Sequence, residues 1–183
     1  MPKQIATSIL AAPQQGTLTL DLARVTGWAY GPLTWAEPLF GDIYMPALGG
    51  EGIRYASLEN ELIHMFDVFK PAQIVIESAL PPQAQTHISS ARQAYGMRAI
   101  VYCNAYREAV PVSEVSADLV RSELLGFSRA KGNPDAIKNH VVHFCKRRGW
   151  HVPSHNAGDA CMLWEWFRRR LVGPRQQALV PIY

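Results

Sequence analysis

Thr17-Leu-Thr-Leu-Asp-Leu-Ala-Arg-Val-Thr-Gly-Trp-Ala-Tyr30 alternates small polar and aliphatic residues from Thr17 to Ala23, then resumes a strand pattern at Thr26. Alternation at a period of two is the mark of a strand with one face covered. The two runs read as a hairpin with Arg24-Val25 near its turn. Asp21 then stands inside a sheet, where a carboxylate is costly unless it is paired or holds a cation. Outward from the hairpin, Phe40-Gly-Asp-Ile-Tyr44 reads as a third strand. It is placed at an edge because Pro46 ends it and Gly49-Gly50 open a loop. Tyr55, Leu58, Leu62, Met65, Phe66 and Phe69 fall at helical spacing and predict a helix over about 51–69, stopped by Lys70-Pro71.

Ala72-Gln-Ile-Val-Ile-Glu77 is a short, nearly continuous apolar run following that helix, the pattern of a strand covered on both faces. Its last residue is again a carboxylate. A loop at Pro81-Pro82 leads to a helix over about 87–107, then to a strand over about 110–115 whose Pro111 argues for an edge. A short helix is expected over about 117–125, a basic loop over 126–134, a helix over 135–148 and a last helix over about 155–171. Three strands first and helices after describe an α/β fold with a mixed sheet flanked by helices.

The chain has 183 residues, 48% hydrophobic and 18% charged, enough for one domain with a sizeable core. A single domain over 1–183 is expected, its core spanning about 17–171 between loose termini. Repeats, heptads and low-complexity tracts are absent from the sequence, as is any apolar stretch of membrane-spanning length. Cys103, Cys145 and Cys161 form no CxxC, which points to a reducing cytoplasm. The apolar run near Met1 is interrupted by Thr7 and Ser8 and is not expected to direct export.

The net charge of +3 conceals an imbalance: residues 1–83 hold four basic against eight acidic side chains, and residues 84–183 fourteen against seven. A basic half suits a polyanionic partner without naming one. Arg121, Arg129, Lys131 and Lys138 lie in or beside the basic segment and Arg92 on the helix before it. Each is a candidate phosphate contact or simply a solvated side chain. Lys146-Arg-Arg148 and Arg168-Arg-Arg170 stand at predicted helix C-termini, where the helix dipole accepts cations by itself. His140, His143 and Cys145 match no established four-ligand zinc spacing.

Asp159 is the third carboxylate of interest, in the first turns of an apolar helix. Should it meet Asp21 and Glu77, three acids would make an oxygen-rich site for Mg²⁺ or Mn²⁺. Two such ions about 4 Å apart serve in-line displacement at phosphate.

Three segments together resemble a known family. Asp21-Leu-Ala-Arg-Val-Thr-Gly-Trp-Ala29 resembles the first motif of the RuvC-like Holliday junction resolvases, Ile74-Val-Ile-Glu77 their second, and His155-Asn-Ala-Gly-Asp-Ala160 their last, all in the family's order. Ala91-Arg-Gln-Ala-Tyr-Gly96 and the stretch 112–138 are similar to its central helix and its basic DNA-facing segment. Leu22-Ala23 looks more like the bacteriophage versions. The resemblance implies an RNase H-like fold in a cytoplasmic enzyme of a bacterial cell or phage-infected host. It implies hydrolysis of four-way DNA junctions by a homodimer with two Mg²⁺ or Mn²⁺ ions per site, held by Asp21, Glu77 and Asp159. The family's fourth ligand falls at Asn156, with the more reactive His155 beside it, so either is a candidate. Leu80-Pro81-Pro82 stands where relatives often place an aromatic wedge. Two rival readings keep the fold: a branched-DNA-binding protein without useful turnover, and an RNase H-like nuclease with another substrate.

Overall fold

In the computed structural model, which describes residues 16–79, 88–126 and 134–172, the hairpin forms as read. Strands β1 (Thr17–Asp21) and β2 (Val25–Gly31) pair antiparallel, and Thr26 Oγ1 closes the turn by donating to the Ala23 carbonyl at 2.8 Å. Strand β3 (Leu39–Tyr44) continues antiparallel beside β2 as an edge. Helix α1 (Gly50–Phe69) ends where Lys70 turns left-handed at φ 46° and returns its N–H to the Phe66 carbonyl at 3.0 Å. Pro71 prevents further winding. Strand β4 (Gln73–Glu77) pairs parallel with β1, and after helix α2 (Ile88–Arg107) strand β5 (Val112–Val115) pairs parallel with β4 as the second edge. The sheet order is β3-β2-β1-β4-β5.

Helices α3 (Ala117–Leu125), α4 (Pro134–Lys146) and α5 (His155–Val172) complete the described chain. Helix α4 starts on Pro134 rather than Asp135, since proline's fixed φ and missing N–H suit a first helical position. It ends at Lys146, short of Arg148, and Gly149 at φ 81° turns the chain. The loop at Pro81-Pro82, the basic loop over 127–133 and both termini lie outside the described residues.

Period-two alternation sorts the sheet into two faces. Leu18, Leu20, Ile74 and Ile76 point to one side and pack with Leu58, Leu62, Met65 and Phe66 of α1 and Met97 and Val101 of α2. Val75 and Ala29 point to the other, against Val120, Val141, Phe144, Ala160, Cys161 and Trp164 from α3, α4 and α5. Each fully buried aliphatic side chain contributes about 2 kcal/mol. The near-continuous apolar run at β4 reflects its coverage on both faces.

Helix α5 lies across β1 and β2, fixed by three hydrogen bonds along its length. Asn156 Nδ2 donates to the Val25 carbonyl at 2.6 Å, Thr19 Oγ1 to the Ala160 carbonyl at 2.8 Å, and Trp164 Nε1 to the Gly31 carbonyl at 2.9 Å. Such close approach depends on the small residues Gly27, Ala29 and Gly31 along that face of β2. A Cβ at Gly27 would collide with the backbone of Asn156 and Ala157.

The arginine run at the end of α5 has partners besides the helix dipole. Glu165, 2% exposed, accepts from Arg168 Nε at 2.7 Å and Arg169 Nε at 2.8 Å and faces Arg148 at 3.5 Å, while Arg170 pairs with Glu123 at 2.6 Å. Burial pushes the Glu165 carboxyl up, but the hydrogen bonds and charges of Arg168 and Arg169 outweigh it and hold the group below its ordinary value. Glu165→Gln is expected to lower stability by about 1–2 kcal/mol in urea denaturation, because three partly exposed guanidinium groups lose their shared counter-charge.

Candidate functional site

The parallel register of β1 and β4 runs from Thr17 opposite Gln73 to Leu20 opposite Ile76. Asp21 and Glu77 each come one residue later, so they end adjacent strands. Alternation gives them the parity of Thr19 and Val75, the side covered by α5. The carboxyl ends of parallel strands, where the chain leaves the sheet, are where open α/β folds gather their ligand groups.

Asp159 joins them because of how α5 begins. Ser154 Oγ accepts the Ala157 N–H at 3.0 Å, a helix N-cap, and donates to Asp42 Oδ1 on β3 at 2.7 Å. With Asn156 anchored on β2, the first turn of α5 crosses the strand ends, and Asp159 faces them one turn in. A cleft opens there, lined by Glu77, Val115, Ala117, Val120, Arg121, Asp159 and Leu163.

The three carboxylates perturb one another. Burial raises the Asp21 carboxyl well above its ordinary range, and the charges of Glu77 and Asp159 raise it further. Burial pushes Glu77 up to about 7, with Asp159 adding to the rise while Arg121 and Arg98 oppose it. Burial also raises Asp159, opposed by Arg121 and more weakly by His155. Concentrated negative charge in a largely buried place calls for a cation. Oxygen donors from Asp21, Glu77 and Asp159 suit a hard divalent ion such as Mg²⁺ or Mn²⁺. The cation at Asp159 in the structure is a guanidinium: Arg121 Nη2 lies 3.0 Å from Oδ1. Among the described residues no three His, Cys, Asp or Glu side chains form a ready-made ligand group.

A pH dependence follows. Glu77 has an ordinary value of 4.5 and titrates at about 7 in the folded chain, so between those values the folded state keeps a proton that the unfolded state releases. Stability from this group is present below pH 4.5 and lost as the pH rises through 7. Without divalent ions, urea denaturation is expected to show the protein about 2 kcal/mol more stable at pH 5 than at pH 7.5.

The remaining candidates fall in different places. His155 opens α5, half-buried, near enough to Asp159 for its charge to be felt. Asn156 commits its Nδ2 to Val25, which leaves Oδ1 for any ligand role. Arg92 is exposed and pairs with Glu51 at 3.0 Å. Lys138 is exposed on α4. Arg129 and Lys131 lie outside the described residues. Arg121 points inward, its side chain 19% exposed, onto a carboxylate.

Arg98 belongs to the site as well, although as a sequence feature it reads equally as a groove lining or a surface group. It is 8% exposed, and its guanidinium donates to the Glu77 carbonyl and, at 3.0 Å, to the Ala94 carbonyl. It thus fixes the backbone that carries Glu77. The available signal was its position on the α2 face that carries Ala94, Val101 and Ala105, four, three and seven residues away along the helix.

No family model matches the sequence, and no curated protein matches it significantly. Solved structures do resemble the fold. RuvC of Thermus thermophilus matches 87% of this chain and 97% of its own with a TM-score of 0.65 at 16% identity. The T. thermophilus RuvC complex with a Holliday junction substrate matches 87% and 96% with a TM-score of 0.66 at 14% identity. Ydc2, the yeast mitochondrial Holliday junction resolvase, matches 89% and 82% with a TM-score of 0.58 at 12% identity. The fold is therefore RNase H-like, a mixed five-stranded sheet flanked by helices.

Proposed function

We propose that this chain is a structure-selective DNA endonuclease that resolves four-way junctions by metal-dependent phosphodiester hydrolysis. The observation that carries this reading is the placement of Asp21 and Glu77 at the ends of two adjacent central strands, with Asp159 near enough for its charge to act on both. The RNase H-like fold and its likeness to a protein solved with a Holliday junction substrate support the choice of substrate. The basic second half of the chain suits a polyanion.

Asp21, Glu77 and Asp159 would hold Mg²⁺ or Mn²⁺, which when bound supplies an activated water and neutralises charge at the scissile phosphate. Asp21, whose carboxyl feels the charges of both Glu77 and Asp159, would be a ligand together with them. His155, at the start of α5 and near enough for its charge to act on Asp159, would accept or deliver a proton, and Asn156 holds the first turn of α5 on β2. Arg98 keeps the end of β4 in place. Arg92 and Lys138, with Arg129 and Lys131 from the basic loop, would contact DNA phosphates. Ile88, Tyr95, Tyr102 and Tyr106 form an exposed, mostly aromatic row on α2 at seven- and four-residue spacing. That row supports assembly as a homodimer able to make paired nicks.

The test is cleavage of a synthetic mobile four-way junction beside linear duplex, a fork and an RNA–DNA hybrid, with Mg²⁺, Mn²⁺ or neither. Paired, metal-dependent nicks confined to the junction are expected. Preference for forks or hybrids would change the substrate. A second reading, junction binding without turnover, is favoured by one observation, the guanidinium on Asp159; tight binding without nicks at any metal concentration would establish it.

A further inference from the structure

We infer that Arg121 is a built-in competitor for the metal site, a resident cation that holds Asp159 when no divalent ion is bound and gives it up when one is. The inference rests on the proposed metal-binding role of the three carboxylates and adds a gate to it.

The geometry is that of an exchangeable partner. Arg121 approaches Asp159 through Nη2 alone, at 3.0 Å, with the two side chains 19% and 13% exposed. Its Nε is buried without a hydrogen-bond partner. The contact is therefore not the two-pronged fork that makes arginine–carboxylate pairs hard to displace. A buried, unpartnered N–H is itself a cost, which leaving the pocket relieves. Arg98 shares the unpartnered Nε but is held differently: it donates to the Glu77 and Ala94 carbonyls, with the Glu114 carboxylate no nearer than 3.9 Å, so its hydrogen bonds go to backbone and not to a carboxylate. Of the two guanidinium groups that Asp21 and Glu77 sense, Arg121 is the one hydrogen-bonded to a carboxylate of the site, that of Asp159.

The local framework allows the exchange. Arg121 stands on the nine-residue helix α3, whose Val120 is packed in the core beside Leu163 and Trp166 of α5, so the helix stays seated while the arginine side chain swings. The cleft between Glu77, Arg121 and Asp159 gives that side chain an exit toward solvent. Once released, the guanidinium lies at the rim of the site, within reach of a bound phosphate.

The experiment uses the full chain and reads binding. Mn²⁺ affinity is measured by calorimetry at pH 7.5 for the wild type, Arg121→Gln and Arg121→Lys, each checked for fold by circular dichroism. Arg121→Gln is expected to bind Mn²⁺ about tenfold more tightly. The gain should vanish in an Asp159→Asn background, because the arginine then has no carboxylate to vacate. In parallel, the Arg121 Nε–Hε resonance of the wild type should shift during a Mg²⁺ titration with the midpoint of binding, while that of Arg98 stays. Unchanged or weaker Mn²⁺ binding in folded Arg121→Gln, or an Arg121 resonance indifferent to Mg²⁺ that binds, overturns the competition and leaves the metal site standing. Absence of Mn²⁺ binding in every variant, up to millimolar concentration, overturns both. Should Arg121→Gln fail to fold, Arg121→Lys and the resonance titration decide.

Discussion

Asp21→Asn is expected to reduce junction cleavage about a thousandfold or more while making the metal-free protein more stable. Loss of one of the three proposed ligands would remove several kcal/mol of transition-state stabilisation, and about 4 kcal/mol is a factor of a thousand. The stability change has the opposite sign because Asp21 is raised by burial and by the charges of Glu77 and Asp159, so the folded state bears a repulsion that asparagine lacks. Single-turnover cleavage and urea denaturation of the same preparation read both effects. Full cleavage by folded Asp21→Asn would end the nuclease reading. A variant that loses both cleavage and stability would show that Asp21 acts as a structural anchor.

Gly27→Val is the second large effect, an expected loss of about 3 kcal/mol in stability together with loss of divalent-ion binding. Gly27 lies opposite Asp21 in the hairpin, and its missing side chain lets the first turn of α5 rest on β2. A branched side chain would meet backbone, which cannot rotate away as a flexible side chain can, and overpacking of that kind costs about 1–3 kcal/mol or more. Displacing the turn also breaks the Asn156 bond to Val25 and withdraws Asp159 from the strand ends. Urea denaturation with and without Mn²⁺ measures both losses. Gly31→Ala, whose added methyl would meet only side-chain atoms and Pro38 at ordinary or slightly tight distances, should be far milder.

The strands and helices were legible in the sequence because their patterns are local. Thr17 to Ala23 shows its period of two, the run at Ile74 its double coverage, and Leu58, Leu62, Met65 and Phe66 their helical face. Asp21 and Glu77 stood out because a charge at the end of an apolar strand is anomalous by itself. The surroundings of those acids were not legible. Arg121 is 38 positions from Asp159, in a basic stretch whose composition suggests solvent, and only the packing of α3 on α5 turns it inward. Arg98 looks like one more helix arginine until the end of β4 is placed beneath it. Glu165 has two of its arginines, Arg168 and Arg169, at legible i+3 and i+4 positions on α5, but the third, Arg148, lies 17 positions earlier beyond the end of α4, and that contact sequence periodicity does not report.

Thr19 donates its hydroxyl to a carbonyl 141 positions further on. The first strand therefore waits, during synthesis, for nearly the whole described chain to be made before its outer face is covered. At about 5–20 residues per second, that wait lasts roughly ten seconds. Once Glu77 has been added it can take its place beside Asp21, yet Asp159 is still 82 residues from being translated, and on the proposed reading the growing chain is an incomplete nuclease. On the proposed reading, cleavage awaits the docking of α5, so a premature stop before that helix would yield an inert fragment with an uncovered apolar sheet face, a target for proteolysis.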